Sequence, residues 1–310
     1  MAGSYDTGLV PLFTTQYSTN LELLLQQKGS KFRGLVDEGF HVGKMASPIN
    51  QQAPITMKAP AGRFAPKNNT QPNFTRRWVF PVEGDINQLI DTFDELQTIV
   101  DPKSGYVQGA ANAVGRAWDD TILAATTAAA WTGQDANNLT QETFNTTNFQ
   151  IAEAFDASGN VGLTVAKVIE IKRILTHYHN DLDVEAVTLA IGSRQEADLL
   201  GQQQVVSRDY NDTPVLVKGR LKEFLGFNIR VSERVPQTTA GSIRGVLAWV
   251  KSGMYLGVWK DVTNRVSQRN DLSGEPWQIY TSTMYGATRT QPGKVLQVLC
   301  ADTTGADINP

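Results

Sequence analysis

The side chains that could carry chemistry in this 310-residue chain are few, and the paired histidines are the first to consider. His177 and His179 stand two residues apart. On a helix, residues two apart point away from one another, whereas histidines that share a metal use the i, i+4 spacing. Positive or polar side chains near the end of a helix explain the pair without a ligand. We therefore predict no metal at these histidines.

Other catalytic and ligand-binding patterns are incomplete. Asp156 begins a run similar to a calcium loop, but Lys167 stands where the bidentate glutamate is required. Residues 191–195 lack the second glycine of a nucleophile elbow, and the sequence has no phosphate-binding glycine loop and no dinucleotide fingerprint. Asp119 and Asp120 are adjacent carboxylates on an expected helix face, where we interpret them as solvated. We predict no cofactor, no metal and no enzymatic activity.

Composition favours a folded chain and opposes several functional classes. Hydrophobic residues make up 41% of the chain and charged residues 19%, and the net charge of −3 argues against general nucleic-acid affinity. Cys300 is the only cysteine, which excludes a disulfide framework and indicates a thiol in the core. No apolar run reaches the roughly 18 residues of a membrane span, and the first six residues lack signal-peptide features. We expect a reducing cytoplasm and no membrane.

The run from Asp101 to Trp131 predicts a long helix around which the chain is organised. Ser104 is the predicted N-cap, and Thr132 and Gly133 end the pattern. Some 27 residues at about 1.5 Å each make a rod of roughly 40 Å, which we interpret as a structural spine. Its apolar stripe recurs at steps of three and four: Val107, Ala111, Val114, Trp118, Ile122, Ala125 and Ala129.

Residues 39–85 have a different character and predict a long two-stranded arm. Prolines recur every six to twelve residues from Pro48 to Pro81, which excludes a helix. Two stretches, 49–57 and 74–82, read as extended strands on either side of a polar tip. The arm has too little apolar content for its own core, and an isolated hairpin is marginal in water. We expect something outside the arm to hold it.

The charges of the arm and of the next segment have opposite signs. Every charged residue between Lys44 and Val82 is basic, and every one between Glu83 and Pro102 is acidic. These blocks either form two solvated faces or let the arm of one copy lie over the acidic segment of the next, which we favour. The candidate intersubunit residues are Lys58, Arg63, Lys67, Arg76 and Arg77 on the basic side, and Glu83, Asp85, Asp94 and Glu95 on the acidic side.

The remaining elements alternate between helix and strand, with strands concentrated late. Capping boxes precede a short helix after Thr19 and another after Ser193, and further helices are predicted over 86–99 and 163–179. The predicted strands are 186–191, 215–217, 224–231, 246–250, 255–259, 277–285 and 294–301. This order indicates an α+β fold with largely antiparallel pairing.

Local segments, in this order, resemble those of tailed-bacteriophage major capsid proteins with the Hong Kong 97-like fold. The segment from Asp101 to Ile122 is similar to the entry into the spine helix of that family, and Leu225 to Ser232 is similar to its axial-domain turn. Tyr285 to Arg289, followed by Pro292 to Val295, resembles its closing strands. The resemblance covers roughly residues 20–302 and depends on the order of parts more than on one motif.

The resemblance implies a structural division of the chain. It gives an N-terminal arm over 1–38, an extended β-hairpin loop over 39–85 and a peripheral domain with the spine helix over 86–144. A mixed axial domain over 145–262 follows, and residues 263–310 supply closing strands of the peripheral domain and a tail.

The resemblance also implies a function and a set of partners. Copies would assemble as pentamers and hexamers into an icosahedral shell around double-stranded DNA, which the chain would contact only non-specifically. A separate scaffolding protein, a portal and decoration proteins are the other expected partners, with assembly in the host cytoplasm and a final place in the virion capsid. One relative joins its loop covalently to a neighbour, but we find no matching glutamate context here and do not carry that reaction over.

Two other classes of protein remain open on the sequence. An encapsulin-like shell of a cellular nanocompartment would share the fold and most of the physical features. A soluble enzyme with an unrecognised site would need convergent polar groups in one pocket.

Overall fold

The computed structural model describes residues 26–59, 62–64, 66, 69, 71–90, 102–156, 159, 161–202, 221–239 and 242–302. The helices are α1 (Pro102–Thr127), α2 (Thr146–Phe149), α3 (Val165–His177) and α4 (Ser193–Leu200). The strands are β1 (Asp37–Phe40), β2 (Ala46–Gln52), β3 (Phe74–Val79), β4 (Val82–Ile90), β5 (Ala130–Thr132), β6 (Thr140–Glu142), β7 (Gln150–Ile151), β8 (Val187–Ile191), β9 (Glu223–Phe224), β10 (Phe227–Val231), β11 (Gln237–Thr239), β12 (Ile243–Val250), β13 (Met254–Gln268), β14 (Trp277–Arg289) and β15 (Val295–Ala301).

The strands of the described ranges form three sheets. The first has the order β1-β13-β14-β4, and the third has the order β2-β3-β5-β6. The second has the order β7-β15-β12-β8-β10-β9, with β11 paired to β12. The parallel pairs are β1 with β13, β8 with β10, and β7 with β15, and the others are antiparallel. The predicted α+β class with largely antiparallel pairing is confirmed.

The second sheet separates two hydrophobic clusters. Side chains of a strand point alternately to opposite faces, so Ala248 of β12 packs into a cluster with α3 while Trp249 packs into a cluster with α1. β15 pairs with β12 over seven positions and belongs to this same sheet, although it follows the proposed boundary at 263. The division of the chain into domains stays a prediction.

The predicted spine helix is confirmed as α1, with errors at both ends: it stops at Thr127, and residues 130–132, at its predicted end, form strand β5 instead. The helix begins at Pro102, two residues before the expected cap at Ser104, because proline suits the first turn, where its missing N–H needs no partner. Val114, Trp118 and Ile122 are buried, and α1 packs on β13 and β14 of the first sheet. Ala111 is exposed, so the buried stripe is shorter than predicted.

Local signals worked well in the second half of the chain. Helix α3 covers most of the predicted 163–179, and its N-cap Thr164 accepts the Lys167 N–H at 3.3 Å. Helix α4 is also confirmed, but its N-cap is Gly192, so the capping box at Ser193 was wrong. Cys300 is fully buried, as predicted, and this burial raises the pKa of its thiol to about 12. The strand predicted at 215–217 lies outside the described residues, as does most of the helix predicted after Thr19; residues 26–28, its predicted end before Gly29, are described and are not helical.

The helix predicted over 86–99 was wrong at its beginning. Residues 82–90 form strand β4, which pairs with β14 at nine consecutive positions without a bulge. Ile86 and Ile90 are four residues apart, a spacing that puts two side chains on the same face of either a helix or a strand. In the structure both lie on the inward face of β4, whose side chains alternate with period two. Pairing with a strand almost 200 residues away decided between the two readings. Residues 91–99 lie outside the described ranges.

Arg289, at the end of β14, binds the C-terminal end of α1. Its Nη1 donates to the Thr126 carbonyl at 2.7 Å and to the Ala128 carbonyl at 3.1 Å, and Nη2 donates to the Glu142 carbonyl at 3.3 Å. These carbonyls would otherwise lack partners, and the negative end of the helix dipole favours a cation there. Burial lowers the pKa of Arg289, with Glu142 acting in the opposite direction.

We predict that Arg289→Met destabilises the subunit by about 3 kcal/mol, because the buried carbonyls lose a charged donor and gain none. Urea unfolding followed by tryptophan fluorescence would measure the loss. Arg265→Met, at an exposed position of β13, is the matched control and should change the free energy of unfolding by less than about 0.5 kcal/mol. Equal stability of the two variants would contradict the capping role of Arg289.

Candidate intersubunit surface

The predicted two-stranded arm is confirmed, and its base is fixed to the body of the chain. β2 pairs with one edge of β3. The other edge of β3 pairs with β5, where Arg77 lies opposite Thr132 and Trp78 lies opposite Trp131. The Trp78 indole also donates to the Gly133 carbonyl at 3.1 Å. The ladder of the arm ends where the Ala53 N–H donates to the Asn73 carbonyl at 2.8 Å. The described residues beyond this bond have no regular secondary structure.

The basic residues of the arm separate into exposed and buried members. Lys58, Arg63 and Arg76 are exposed, and none of them forms an ion pair within the described ranges. Arg77 is only 5% exposed: it pairs with Glu142 and donates from Nε to the Thr290 carbonyl at 2.6 Å. Its charge is used inside its own subunit, so we no longer place it among the intersubunit candidates. Lys67 lies outside the described residues.

The acidic candidates that the structure describes lie on an edge strand. β4 is the last strand of the first sheet, and the alternation of its side chains puts Glu83 and Asp85 on the same exposed face. Neither carboxylate has an ion pair among the described residues. A regular nine-residue edge without proline or lysine is a surface that isolated proteins usually protect. Asp94 and Glu95 lie outside the described residues.

Exposed apolar side chains concentrate on the same part of the chain. Among the residues that the structure describes, fifteen large hydrophobic side chains are exposed, and eight of them stand between positions 40 and 89: Phe40, Val42, Ile55, Met57, Phe64, Phe74, Val82 and Leu89. Contiguous exposed apolar surface is characteristic of protein interaction sites. The arm and β4 therefore offer apolar contacts as well as opposite charges to a neighbouring molecule.

The sequence reasoning missed a contact of α1 with another segment of the same chain. Asp119, predicted to be solvated, is 0% exposed. Its carboxylate accepts hydrogen bonds from the Lys31 N–H at 2.9 Å and the Phe32 N–H at 3.1 Å, and from the side chains of Gln27 and Ser30. Its neighbour Asp120 is exposed and pairs with Arg234, as a solvated carboxylate would. Asp119 therefore holds the segment 26–32, which precedes the first strand, on the spine.

The face of α1 that receives this segment has its own helical spacing. Asn112, Gly115, Arg116 and Asp119 follow one another at steps of three, one and three residues and so share one side of the helix. Arg116 donates to the Gln26 side chain at 2.6 Å, and Asn112 accepts the Gly29 N–H at 3.2 Å. A side chain at position 115 would lie 2.5 Å from the Gly29 backbone, so this close approach requires glycine. This polar stripe with a central glycine was the available signal.

The described residues give little support to catalysis. His177 and His179 are exposed at the end of α3, and no group of three or more His, Cys, Asp or Glu side chains within the described ranges could hold a metal ion. Ser252 accepts a hydrogen bond from Lys294 at 2.6 Å, but Glu185 contacts both side chains. These contacts form a small, partly exposed network in which each of the three side chains has the other two as partners. None of the described helices is long and apolar enough to cross a membrane.

Solved structures with a similar course of the chain come from phage capsids. The cyanophage Pam1 capsid has a TM-score of 0.72 at 14% identity, covering 97% of this chain and 99% of that one. The cyanophage P-SCSP1u capsid has a TM-score of 0.71 at 15% identity, covering 96% of both chains. A chain of Mycobacterium phage Che8 has a TM-score of 0.68 at 15% identity, covering 92% of this chain and 96% of that one. This likeness defines the Hong Kong 97-like fold of phage shell subunits.

The family follows from the sequence itself. The profile of the phage capsid protein family matches residues 10–302, and the chain belongs to that family. Among curated proteins no match was found. The chain is a major capsid protein, a structural subunit of a phage shell, and the resemblance drawn from the sequence is confirmed. The family favours neither a cellular nanocompartment nor an enzyme.

We predict that Asp119→Asn releases the segment 26–32, because the new amide replaces an acceptor by a donor that faces other donors. The expected loss is about 2 kcal/mol, or roughly 30-fold in the opening equilibrium of the segment. Limited trypsin digestion would measure it as faster cleavage at Lys28 and Lys31. Asp120→Asn is the matched control, since it removes one exposed ion pair worth less than about 1 kcal/mol. Equal cleavage rates in the two variants would contradict the role of Asp119.

Proposed function

We propose that the subunit completes its shell through the basic arm of one copy, which lies over the acidic edge strand β4 of a neighbour. The observation that carries this proposal is that the described charges on both sides have no ion-pair partner among the described residues. Lys58, Arg63 and Arg76 have no carboxylate partner among the described residues, and Glu83 and Asp85 have no basic partner there. Two solvated faces, the alternative left open by the sequence, would give these charges no role in assembly, whereas a contact between copies pairs them.

The apolar side chains make the two surfaces complementary in a second way. On the arm, Ile55, Met57 and Phe64 stand beside the basic residues. On β4, Val82 and Leu89 flank the acidic pair. Exposed ion pairs contribute only about 0–1 kcal/mol each, so burial of these apolar groups supplies most of the affinity and the charges fix partner and register. The same contact is repeated in every copy of a closed shell.

Larger assembly steps belong to the same proposal. Pentamers and hexamers form around the second sheet, which contains most of the proposed axial domain, and the shell encloses double-stranded DNA without sequence-specific contacts. We include a separate scaffolding protein among the partners, as the resemblance to tailed-phage capsid proteins implies. A portal and decoration proteins complete the set of partners, and assembly takes place in the host cytoplasm before the virion is complete.

Charge reversal on the two surfaces tests the arm contact. Lys58→Glu with Arg63→Glu should reduce the yield of closed particles at least tenfold, because like charges then face each other across the contact. Glu83→Lys with Asp85→Lys should do the same. Combining all four substitutions should restore assembly, because the attraction is rebuilt with exchanged signs. Sedimentation in sucrose gradients and negative-stain microscopy would measure the particles.

The matched control is Lys172→Glu with Arg265→Glu, at exposed positions outside the arm and β4. This variant has the same charge change as the arm reversal and should assemble normally. The proposed contact would be overturned if both double variants lost assembly and the fourfold variant did not restore it. The two surfaces would then not face each other across an interface. Unchanged assembly in every variant would remove the arm charges from the assembly mechanism altogether.

A further inference from the structure

A groove of about 500 Å³ lies beside β10, and none of its described lining residues belongs to the arm or to β4. Three separate parts of the fold form it: the segment held by Asp119, helix α4 and the hairpin of β9 and β10. Its walls and floor are Lys31, Glu196, Leu221, Lys222, Ile229, Arg230 and Val231. Leu221 and Ile229 are almost completely buried, so the base of the groove is apolar and preformed.

The charge in the groove is mostly positive, although the whole chain has a net charge of −3. Lys222 and Arg230 are exposed and have no ion pair within the described ranges. Lys31 donates from Nζ to the Val231 carbonyl at 2.8 Å, which is a neutral acceptor and leaves its charge uncompensated. Glu196 is the one acidic residue among the described lining residues, and its carboxylate already accepts the Leu221 N–H at 3.4 Å. An anionic ligand would find three cations and one carboxylate.

The backbone of the groove is partly open as well. β9 pairs only with Phe227 and Asn228 of β10, and the Ile229 N–H donates to the Lys222 carbonyl at 2.9 Å. No described strand covers this edge of β10 at Val231, whose carbonyl accepts Lys31 Nζ and whose N–H faces the groove side, whereas the backbone of Arg230 faces β8. An extended peptide can bind to such an edge through main-chain hydrogen bonds, while side-chain pockets provide specificity.

We propose that this groove binds a short acidic segment of a partner protein in an extended conformation. Its carboxylates pair with Lys222, Arg230 and Lys31, and one apolar side chain packs over Ile229. The inference is separate from the arm contact, because neither the arm nor β4 contributes to the lining.

The structure favours this occupant over two others. The arm of another copy carries only basic charges between Lys44 and Val82 and would be repelled by the groove. The acidic strand β4 is already paired with β14 at nine positions, so it is not a free extended segment. A nucleic-acid backbone requires an extended basic track, whereas three cations here surround an apolar base.

Binding of a labelled acidic peptide to unassembled subunits tests the proposal. The probe is a fluorescein-labelled peptide of sequence EELEEL, and the readout is fluorescence anisotropy at about 0.15 M salt. We expect saturable binding that weakens at least tenfold in the double variant Lys222→Glu, Arg230→Glu. The matched control Lys251→Glu, Arg265→Glu reverses two exposed cations elsewhere and should change the dissociation constant less than twofold.

Several results would overturn the proposal. These are no binding of the peptide, equal weakening by the control variant, or competition by unlabelled copies of the chain itself. Equally tight binding of a 12-nucleotide single strand with the same dependence on Lys222 and Arg230 would assign the groove to nucleic acid instead. If the Glu variant does not fold by circular dichroism, Lys222→Gln, Arg230→Gln keeps similar side chains without the charge and should weaken binding at least fivefold.

Discussion

The structure depends first on one buried carboxylate, that of Asp119. A carboxylate in the interior costs several kcal/mol unless it is fully hydrogen-bonded, and here two backbone N–H groups and two side chains from residues 27–32 meet that requirement. The bonds join segments almost 90 residues apart and bring Phe32 against Trp249 at a ring distance of 5.7 Å. They also place β1 beside β13 and Lys31 at the cationic groove, so a core contact, a sheet edge and a surface site share one origin.

Charged side chains differ between the arm and the body of the subunit in whether they have partners. In the body, charged groups that enter the interior find partners: Arg289 binds three carbonyls, and Lys167 donates to the carbonyls of Val161, Gly162 and Leu299 at 3.0 Å each. On the arm and β4, exposed charges and apolar side chains stand unpaired on the same strands. This difference between the described parts of the chain is consistent with an arm and an edge strand that complete their contacts in an assembly.

Sequence patterns predicted those parts of the fold that local interactions decide. The spine helix, the two-stranded arm, the helix over 163–179 and the buried strand β8 all follow from spacing, proline positions and local side-chain patterns. The parts that were missed depend on distant partners. Residues 86–90 fit a helix until β14 pairs with them, and Asp119 looks solvated until the segment before β1 covers it. Arg77 shows the same limit for the candidate surface, because its position in a basic run gave no sign of Glu142.

The second sheet has a mechanical consequence because its two faces support different cores. Neighbouring residues of β12 pack into the two clusters on opposite faces of the sheet, and β15 pairs with β12 within this sheet. A load applied to the α3 side must deform the sheet before it can displace α1, and sliding of the sheet would disrupt both cores together. The body should therefore respond to internal pressure as a stiff plate, with strain passing across the sheet to the spine, and compliance confined to the projecting arm.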